Sequence, residues 1–447
     1  MVFNMTPTPV PRAPLGFLDL VRDDVLTPGC GPHERLDPYY EMAWPDSDGG
    51  PELSWVSRRL EADFRRAGLR VPGSKRPHHT TRGGASADLT PAEVRRLLRR
   101  SPAAVEALGV INLWRNATGP QLAAFTGRRS FAGPRNSPLH LLYNAELTHR
   151  GHFVFGEKTL KEYPVVYRPA PEAPLQLPEL TYAQWIGATM GRRPIRGRNY
   201  NRHNILTTEV SLRCAEMTPI HSVLGETLAD WETHFTPDLY EGTGASDAVW
   251  VRVDGLKILV EMVASNTPTN SRKIHRLADI LSRDTSGSTV ALFLLAPSRN
   301  HSADRKLGVL IRKYMRHAAR ATMAATLAGV ESRMFFIRWE DWFPGVGLVN
   351  QDFASLRAQR YDFTTESWTT APLLDPFAVP YPSSEEPWNA ETLDNLQLLL
   401  GVPHWMRRPI THEFDQFLLD SAGIRTDLSN EEAEALMRRM VEGDVAL

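Results

Sequence analysis

Three helical patterns followed by two short strand patterns occupy residues 101–170. Apolar residues recur at helical spacing in "SPAAVEALGVINLWRN" and "PQLAAFTG", and a third helix is predicted at "PLHLLYNAELTHRG", ending at Gly151. The predicted strands are "HFVFG" and "YPVVYRPA", on either side of the polar "EKTLKE". A further helix is predicted at 91–100, with Thr90 as its N-cap and Pro91 at its first position. This order predicts a winged helix-turn-helix domain over residues 89–175.

In a winged helix the third helix enters the DNA major groove and the hairpin contacts the phosphate backbone. The candidate DNA contacts are therefore His140 and Asn144 on the third helix and Lys158 on the hairpin. Many winged helices instead bind proteins, so that alternative stays open. Any small helical domain with a hairpin would give the same pattern.

The connector 176–202 is basic, and its arginines are natural ligands for phosphate groups. "GRRPIRGRNYNRH" contains Arg192, Arg193, Arg196, Arg198 and Arg202. A solvated interdomain linker is the alternative interpretation of the same residues.

Residues 203–344 alternate between helical and strand patterns. Helices are predicted at 203–217, 271–284 and 304–326, and strands at 222–233, 247–253, 256–265, 289–297 and 332–343. A helix, three strands, a helix and a strand is the order of a restriction-endonuclease-like core, so the predicted fold class is α/β (α+β). Residues 1–88 are predicted to form a largely extended arm with one helix at 53–67 and a basic linker at 73–84. Residues 345–447 are predicted to form a helical tail, with its clearest helix at 429–443.

Two carboxylates lie within the predicted hairpin "ASDAVWVRVDGLKILVEMVASN", residues 245–266. An unpaired buried carboxylate costs several kcal/mol, so Glu261 needs a partner, a proton or a metal. Metal-dependent nucleases hold a divalent cation between two carboxylates on one face of such a hairpin. Hard oxygen ligands favour Mg²⁺ or Mn²⁺, so Asp247 and Glu261 are the candidate metal ligands.

The length of the loop decides whether the two carboxylates share a face, because side chains alternate along a strand. A two-residue turn at Asp254-Gly255 would put them on opposite faces. A three-residue loop with Gly255 in the left-handed conformation would let Val253 oppose Lys257, and Asp247 and Glu261 would then share a face. We expect the second arrangement.

A nuclease of this type also needs a lysine, which usually stands two residues after the glutamate, where this chain has Val263. We expect Lys273 to replace it, and Glu209 or Glu226 to supply a further carboxylate. The catalytic candidates are thus Asp247, Glu261, Lys273 and Glu209. In the alternative, Glu261 simply pairs with Arg272 or Lys273.

Composition narrows the functional class. Hydrophobic residues make up 42% of the 447 positions and the formal net charge is −1, so affinity for nucleic acid must come from local basic clusters. The two cysteines, Cys30 and Cys214, suit a reducing cytoplasm and argue against a cysteine zinc site. No signal peptide or membrane span is expected, and no phosphate-binding Gly-rich loop or G-x-S-x-G motif occurs.

Several segments together resemble the replication-relaxation proteins of actinobacterial plasmids and mobile elements. The resemblance covers about residues 95–300 and rests on "NLWRNATGPQLAAFTG", "LHLLYNAELTHRGHFVF", "YPVVYRPA", "RHNILTTEVSL" and "GETLADWE" followed by "SDAVWVRVDGLKILVEMVAS". The family combines a winged helix with a PD-(D/E)xK nuclease-like domain. Its proline-aspartate pair is similar to Ser246-Asp247, and its strand glutamate to Glu261.

The resemblance implies DNA binding in plasmid replication or mobilisation, with double-stranded DNA and replication or mobilisation proteins as the expected partners. The leading hypothesis is a cytoplasmic DNA-binding protein of a mobile element, whose nuclease-like domain binds or nicks DNA. The second is an active Mg²⁺-dependent endonuclease, in phage or plasmid defence. The third is a protein-interaction scaffold.

Overall fold

The computed structural model describes residues 13–25, 29–41, 51–69, 90–133, 137–156, 158–170, 188, 201–227, 229, 246–264, 269–284, 287–296, 331–362, 365, 367–379, 400–407 and 435. They contain both helices and sheets, as an α+β fold requires. The chain divides into two compact units. The large-sheet unit comprises Met1–Leu26, Pro32–Met42 and Leu206–Leu393, and the small-sheet unit comprises Thr27–Gly31, Ala43–Ile205 and Asp394–Leu447.

The described helices are α1 (Arg58–Arg66), α2 (Pro91–Arg99), α3 (Pro102–Leu113), α4 (Gly119–Thr126), α5 (Ser137–Asn144), α6 (Asn201–Met217), α7 (Thr269–Arg283) and α8 (Trp339–Trp342). The strands are β1 (Leu15–Gly16), β2 (Glu52–Val56), β3 (Ala117–Thr118), β4 (Thr148–Phe155), β5 (Lys158–Thr159), β6 (Val166–Pro169), β7 (Ile220–Gly225), β8 (Ala248–Arg252), β9 (Lys257–Val263), β10 (Thr289–Leu295), β11 (Met334–Arg338), β12 (Leu348–Val349), β13 (Arg357–Asp362) and β14 (Ser367–Pro372).

The small-sheet unit packs α3, α4 and α5 with a sheet of order β2-β4-β6-β3, to which β5 adds beside β4. Capping residues mark the ends of these helices. Thr90 caps α2 and Pro91 takes its first position, as predicted, and Thr90 forms a capping box with Glu93. Thr118 and Gln121 form another capping box at the start of α4. Gly127, at φ +67°, ends α4.

The third helix is shorter than predicted, because it ends at Asn144 and not at Gly151. Glu146 takes a left-handed conformation (φ +58°), and the Leu147 amide donates to the Leu142 carbonyl. This is a Schellman termination, which satisfies the last carbonyls of the helix and releases the chain into β4.

The predicted helix at 53–67 is also wrong in its first half. Residues Glu52–Val56 form β2, which pairs antiparallel with β4. Ser57 then caps α1 by accepting a hydrogen bond from the Leu60 amide at 3.0 Å. The β2–α1 segment is therefore part of the folded unit and not of an extended arm.

The large-sheet unit is built on seven strands in the order β14-β13-β11-β10-β9-β8-β7. Neighbours β9, β10 and β11 run parallel, and the other pairs are antiparallel. Every described residue of β8, β9 and β10 is buried, as expected of central strands. The predicted elements at 203–217, 247–253, 256–265, 271–284 and 289–297 are confirmed, but the strand predicted at 222–233 ends at Gly225, and helical residues follow.

Two predictions at the ends of the chain differ from the structure. Residues 13–41 contribute β1 and the 3-10 helices Phe17–Asp19, Asp23–Val25 and Pro32–Glu34 to the large-sheet unit, so the expectation of a largely extended arm is wrong for them. Residues 345–379 of the supposed helical tail form β12, β13 and β14, and β13 and β14 extend the large sheet. The segments predicted at 73–84, 304–326 and 429–443 lie outside the described residues, apart from the single position 435. Within the described part of the chain, no helix has the length and apolar character needed to cross a membrane.

Candidate carboxylate and lysine site

The β8–β9 hairpin brings the two predicted carboxylates to one face. Ala248 pairs with Val260, and extending that register sets Asp247 opposite Glu261. The loop has three residues, as expected, but it lies one position earlier than predicted: Arg252 donates its amide to the Leu256 carbonyl, and Gly255 takes φ +91°. Asp247 therefore opposes Glu261 itself and not Val263.

Lys273 joins the two carboxylates. Its ammonium Nζ donates to Glu261 Oε1 and lies 3.7 Å from Asp247 Oδ1. Asp247 Oδ2 accepts a hydrogen bond from the Met262 amide at 2.8 Å, which orients the carboxylate toward β9. The Asp247 and Glu261 side chains are 7% and 2% exposed, whereas Lys273 is 24% exposed. The result is a nearly buried carboxylate pair that reaches solvent on the lysine side.

The electrostatics of this group keep Lys273 charged. Burial disfavours the ammonium, but the charges of Asp247 and Glu261 and the bond to Glu261 outweigh it and raise the pKa of Lys273. A smaller contribution of the same sign comes from Glu226. Lys273 is therefore a proton donor in hydrogen bonds and not a general base at neutral pH.

Glu226 lies at the same end of the sheet. Gly225, the last residue of β7, pairs with Ala248 of β8, and Glu226 follows it as the first of the helical residues. Its carboxylate is half-buried and acts on Lys273 through its charge. Glu226 therefore stays a candidate for the further carboxylate.

Glu209, the other candidate, lies in a buried ion-pair cluster on α6. Arg35 donates to it from Nη2 at 3.1 Å, and Arg213 donates to it from Nε at 3.0 Å. Arg35 also binds Glu216 at 2.6 Å, and Arg213 lies 3.0 Å from Asp37. Each of these five side chains is at most 3% exposed.

The buried cluster anchors the segment 13–41 to α6. Burial opposes the charge of Arg35, but the fields of Glu209 and Glu216 outweigh it and raise the pKa of Arg35. Burial also raises the pKa of Glu216. The Arg213 guanidinium lies 4.6 Å from the ring centroid of Phe343, which adds a cation–π contact. The described contacts thus give Glu209 a structural part in this cluster.

The predicted DNA contacts fall into two groups. His140 and Lys158 are exposed on α5 and β5, and Asn144 and Arg202 are half-buried at the end of α5 and the start of α6. Burial and the charge of Arg150 lower the pKa of His140. The remaining arginines of the connector, Arg192, Arg193, Arg196 and Arg198, lie outside the described residues.

One neighbour of the carboxylate pair was missed by the sequence reasoning. Arg276 Nη2 lies 4.0 Å from Glu261 Oε2. Lys273 and Arg276 are three residues apart on α7 and so face the same way, which was the available signal. The alternative partner Arg272 belongs to the part of α7 whose side chains are not described.

The residue types here suit a hard divalent cation, although the lysine shares the same oxygens. Asp247 and Glu261 are the donors that Mg²⁺ and Mn²⁺ prefer. Within the described residues, no group of three or more His, Cys, Asp or Glu side chains is arranged to hold a metal ion. A cation held by this pair would therefore take Glu261 Oε1 from Lys273.

Comparison with known protein families, curated proteins and solved structures finds no match to this chain.

Proposed function

We propose that the chain is a double-stranded-DNA-binding protein of a plasmid or mobile element, with a nuclease-like domain in its large-sheet unit. The observation that carries the proposal is the convergence of Asp247, Glu261 and Lys273 at one end of a buried hairpin. A carboxylate pair of this kind can hold a divalent cation, and the cation together with a charged lysine would neutralise and orient a phosphodiester group. The order of α6, β7–β9, α7 and β10 supports a restriction-endonuclease-like core.

The small-sheet unit supports DNA binding by the order of its elements. Helices α3, α4 and α5 are followed by the antiparallel pair β4 and β6, and the short strand β3 between α3 and α4 pairs with β6. This order supports a winged helix, in which α5 would enter the major groove. His140 on α5 and Lys158 in the hairpin are exposed where such contacts are made.

Fluorescence anisotropy with labelled duplex DNA tests the binding proposal. The full chain is expected to bind at low salt and to lose affinity steeply as salt rises, because phosphate contacts release counterions. An absence of binding at both low and moderate salt would contradict it. Stable partner proteins that co-purify with a chain unable to bind DNA would instead favour the scaffold hypothesis.

The same convergence favours a second candidate function, an active endonuclease that uses Mg²⁺ or Mn²⁺. When bound, the cation would activate water and neutralise phosphate charge. Asp247 and Glu261 would hold it, and the protonated Lys273 would donate to a phosphate oxygen. The Met262 amide orients the Asp247 carboxylate, and Lys273 donates to the Glu261 carboxylate.

Cleavage of supercoiled plasmid tests this candidate. We expect wild type to nick plasmid with Mg²⁺ or Mn²⁺, and Asp247→Asn and Glu261→Gln to remove the activity at unchanged DNA affinity. Arg283→Ala, at an exposed position of α7, is the matched control. Cleavage that persists in both carboxylate variants would show that Asp247 and Glu261 do not form the nuclease site.

The assignment to the replication-relaxation family and the cytoplasmic location belong to the same proposal. They rest on the segments quoted from the sequence and on the two buried free thiols, Cys30 and Cys214. Replication or mobilisation proteins are the partners that such a role would require.

A further inference from the structure

Helix α1 is fastened to the end of α5, the helix assigned to the major groove. Glu61 of α1 accepts hydrogen bonds from the Tyr143 hydroxyl at 2.6 Å and from Arg150 Nη2 at 2.8 Å. The Arg150 guanidinium stacks 3.6 Å from the Tyr143 ring centroid, and Arg58 donates to the Asn144 carbonyl. These contacts fix α1 beside the last turn of α5.

Strand β2 fixes the other end of the same segment. It pairs with β4 over its whole length, from Glu52 opposite Val154 to Val56 opposite Arg150. The β2–α1 segment therefore lies along the predicted wing strand and ends at the base of α5. A rigid attachment of this kind keeps surface side chains in place, as a binding surface requires.

The outward side of α1 is basic. Arg59, Arg65 and Arg66 expose 67%, 47% and 79% of their side chains, and Asp63 is a carboxylate of α1 that is also well exposed, at 60%. The other carboxylate of α1, Glu61, is only 14% exposed, since it turns inward to Tyr143 and Arg150. Three exposed positive charges against one negative charge leave this surface positive.

The ion pairs of these arginines are weak enough to exchange for phosphate. Arg66 pairs with Asp63 and Arg65 with Glu61, within one or two turns of the same helix, and Arg59 pairs with Glu146 at 3.1 Å. The Arg66–Asp63 pair, in which both side chains are exposed, contributes little to stability. Glu146 is only 18% exposed, but the Arg59 side chain that it pairs with is itself 67% exposed. Phosphate oxygens form stronger charge-assisted bonds with a guanidinium.

We propose that Arg59 and Arg66 of α1 bind the phosphate backbone of duplex DNA beside the groove that α5 enters. This inference rests on the proposed DNA-binding function and extends it to a helix that the sequence pattern had placed in an extended arm. The contact is independent of base sequence, because it is made to phosphates alone. Glu61 is a positioning residue, which holds α1 against α5 and neutralises Arg150.

The test is the salt dependence of duplex binding by the full chain, measured by anisotropy. Two phosphate contacts contribute about 1.8 to the slope of log K for DNA binding against log salt concentration. The slope measured for Arg59→Ala/Arg66→Ala should therefore be shallower than the wild-type slope by that amount. Between 50 and 200 mM salt, the affinity ratio of wild type to variant should then shrink about twelvefold. The same loss is expected on a duplex of scrambled sequence.

The matched control is Arg22→Ala/Arg283→Ala, which removes two exposed arginines from the large-sheet unit. It should leave the slope unchanged. Asp63→Asn, which removes the exposed carboxylate, should steepen it. Parallel slopes for wild type and the α1 variant would overturn the inference while DNA binding stands, and so would a loss confined to one base sequence. A wild-type chain that fails to bind duplex DNA would overturn both proposals.

Discussion

Replacing Lys273 by methionine tests whether the lysine holds two buried charges together. The substitution keeps the length of the side chain and removes its charge, which leaves Asp247 and Glu261 facing each other at 7% and 2% exposure. Removing one partner of a buried ion pair costs about 3–5 kcal/mol. Because Lys273 is 24% exposed and Arg276 remains 4.0 Å from Glu261, we expect a loss of about 2–3 kcal/mol.

Urea unfolding followed by tryptophan fluorescence measures this loss. Trp250 lies on β8 and donates to Ser211 Oγ at 2.9 Å, so its emission reports on the sheet that carries the site. A double-mutant cycle with Glu261→Gln measures the interaction free energy between Lys273 and Glu261. The double variant should be more stable than Lys273→Met alone, because one of the two facing charges is gone. Arg283→Met is the matched exposed control on α7.

The contribution of Lys273 to the free energy of unfolding changes with pH in a definite direction. The folded pKa of Lys273 is raised above its unfolded value, so its contribution is present throughout neutral pH and is lost as pH rises through the folded pKa. The advantage of wild type over Lys273→Met should therefore be constant near pH 7 and should shrink only in strongly alkaline solution. A methionine variant within about 0.5 kcal/mol of wild type, with additive effects in the cycle, would refute the reasoning.

Three further predictions concern the rest of the molecule. Arg35→Met should lower the free energy of unfolding by about 3–5 kcal/mol in urea titrations, since it strands Glu209 and Glu216 in the core, whereas the exposed Arg22→Met should have almost no effect. Tyr143→Phe should cost about 1 kcal/mol by the same assay, through loss of the hydrogen bond to Glu61; an unchanged stability would mean that this bond does not hold α1. Burial lowers the pKa of His152 from 6.5 to about 4, so the unfolded chain binds the proton first and stability should fall as pH drops from about 6.5 to about 4. His152→Gln should remove that part of the slope, and an identical pH profile for the variant would count against it.

The β8–β9 hairpin shows what the local sequence pattern can and cannot predict. Alternation of apolar residues and the Asp-Gly pair predicted a hairpin but allowed a loop of two or three residues. The three-residue loop was expected because it alone puts both carboxylates on one face, and the structure has a three-residue loop and a shared face. The loop is one residue earlier because Arg252 turns inward. Its guanidinium binds Asp254 and the carbonyls of Leu373 and Val379, more than a hundred residues away. Sequence periodicity contains no information about that long-range anchor.

Lys273 was expected to replace the lysine that is missing at Val263, with simple pairing to Glu261 as the alternative, and the structure places its ammonium beside both carboxylates. A partner from α7 could be anticipated because a buried carboxylate requires one and because α7 follows β9 directly in the chain. The catalytic part of Lys273 stays a prediction. Glu209 could not be judged in the same way. Its contacts with Arg35 and Arg213 form only when residues 13–41 fold against α6. The Pro- and Gly-rich composition of that N-terminal region had indicated an extended chain.

Strands β13 and β14 were missed for a related reason. Pro- and aromatic-rich sequence was interpreted as an irregular lead-in to a helical tail. Aromatic and β-branched residues also favour strands, and "SWTTAP" of β14 pairs along its whole length with β13. Their place at the edge of the sheet depends on β11, which local propensity does not reveal.

The buried pairs of Arg35 have a consequence for synthesis of the protein. Arg35 and its partners Glu209 and Glu216 are separated by 174 and 181 positions along the chain. At about 5–20 residues per second, a ribosome needs roughly 10–35 s to make the helix that receives this guanidinium. During that interval the entire Ala43–Ile205 stretch of the other unit is produced. The ion pairs of Arg35 can therefore form only after that stretch has been made, so the segment that contains Arg35 is completed late in folding although it is made early.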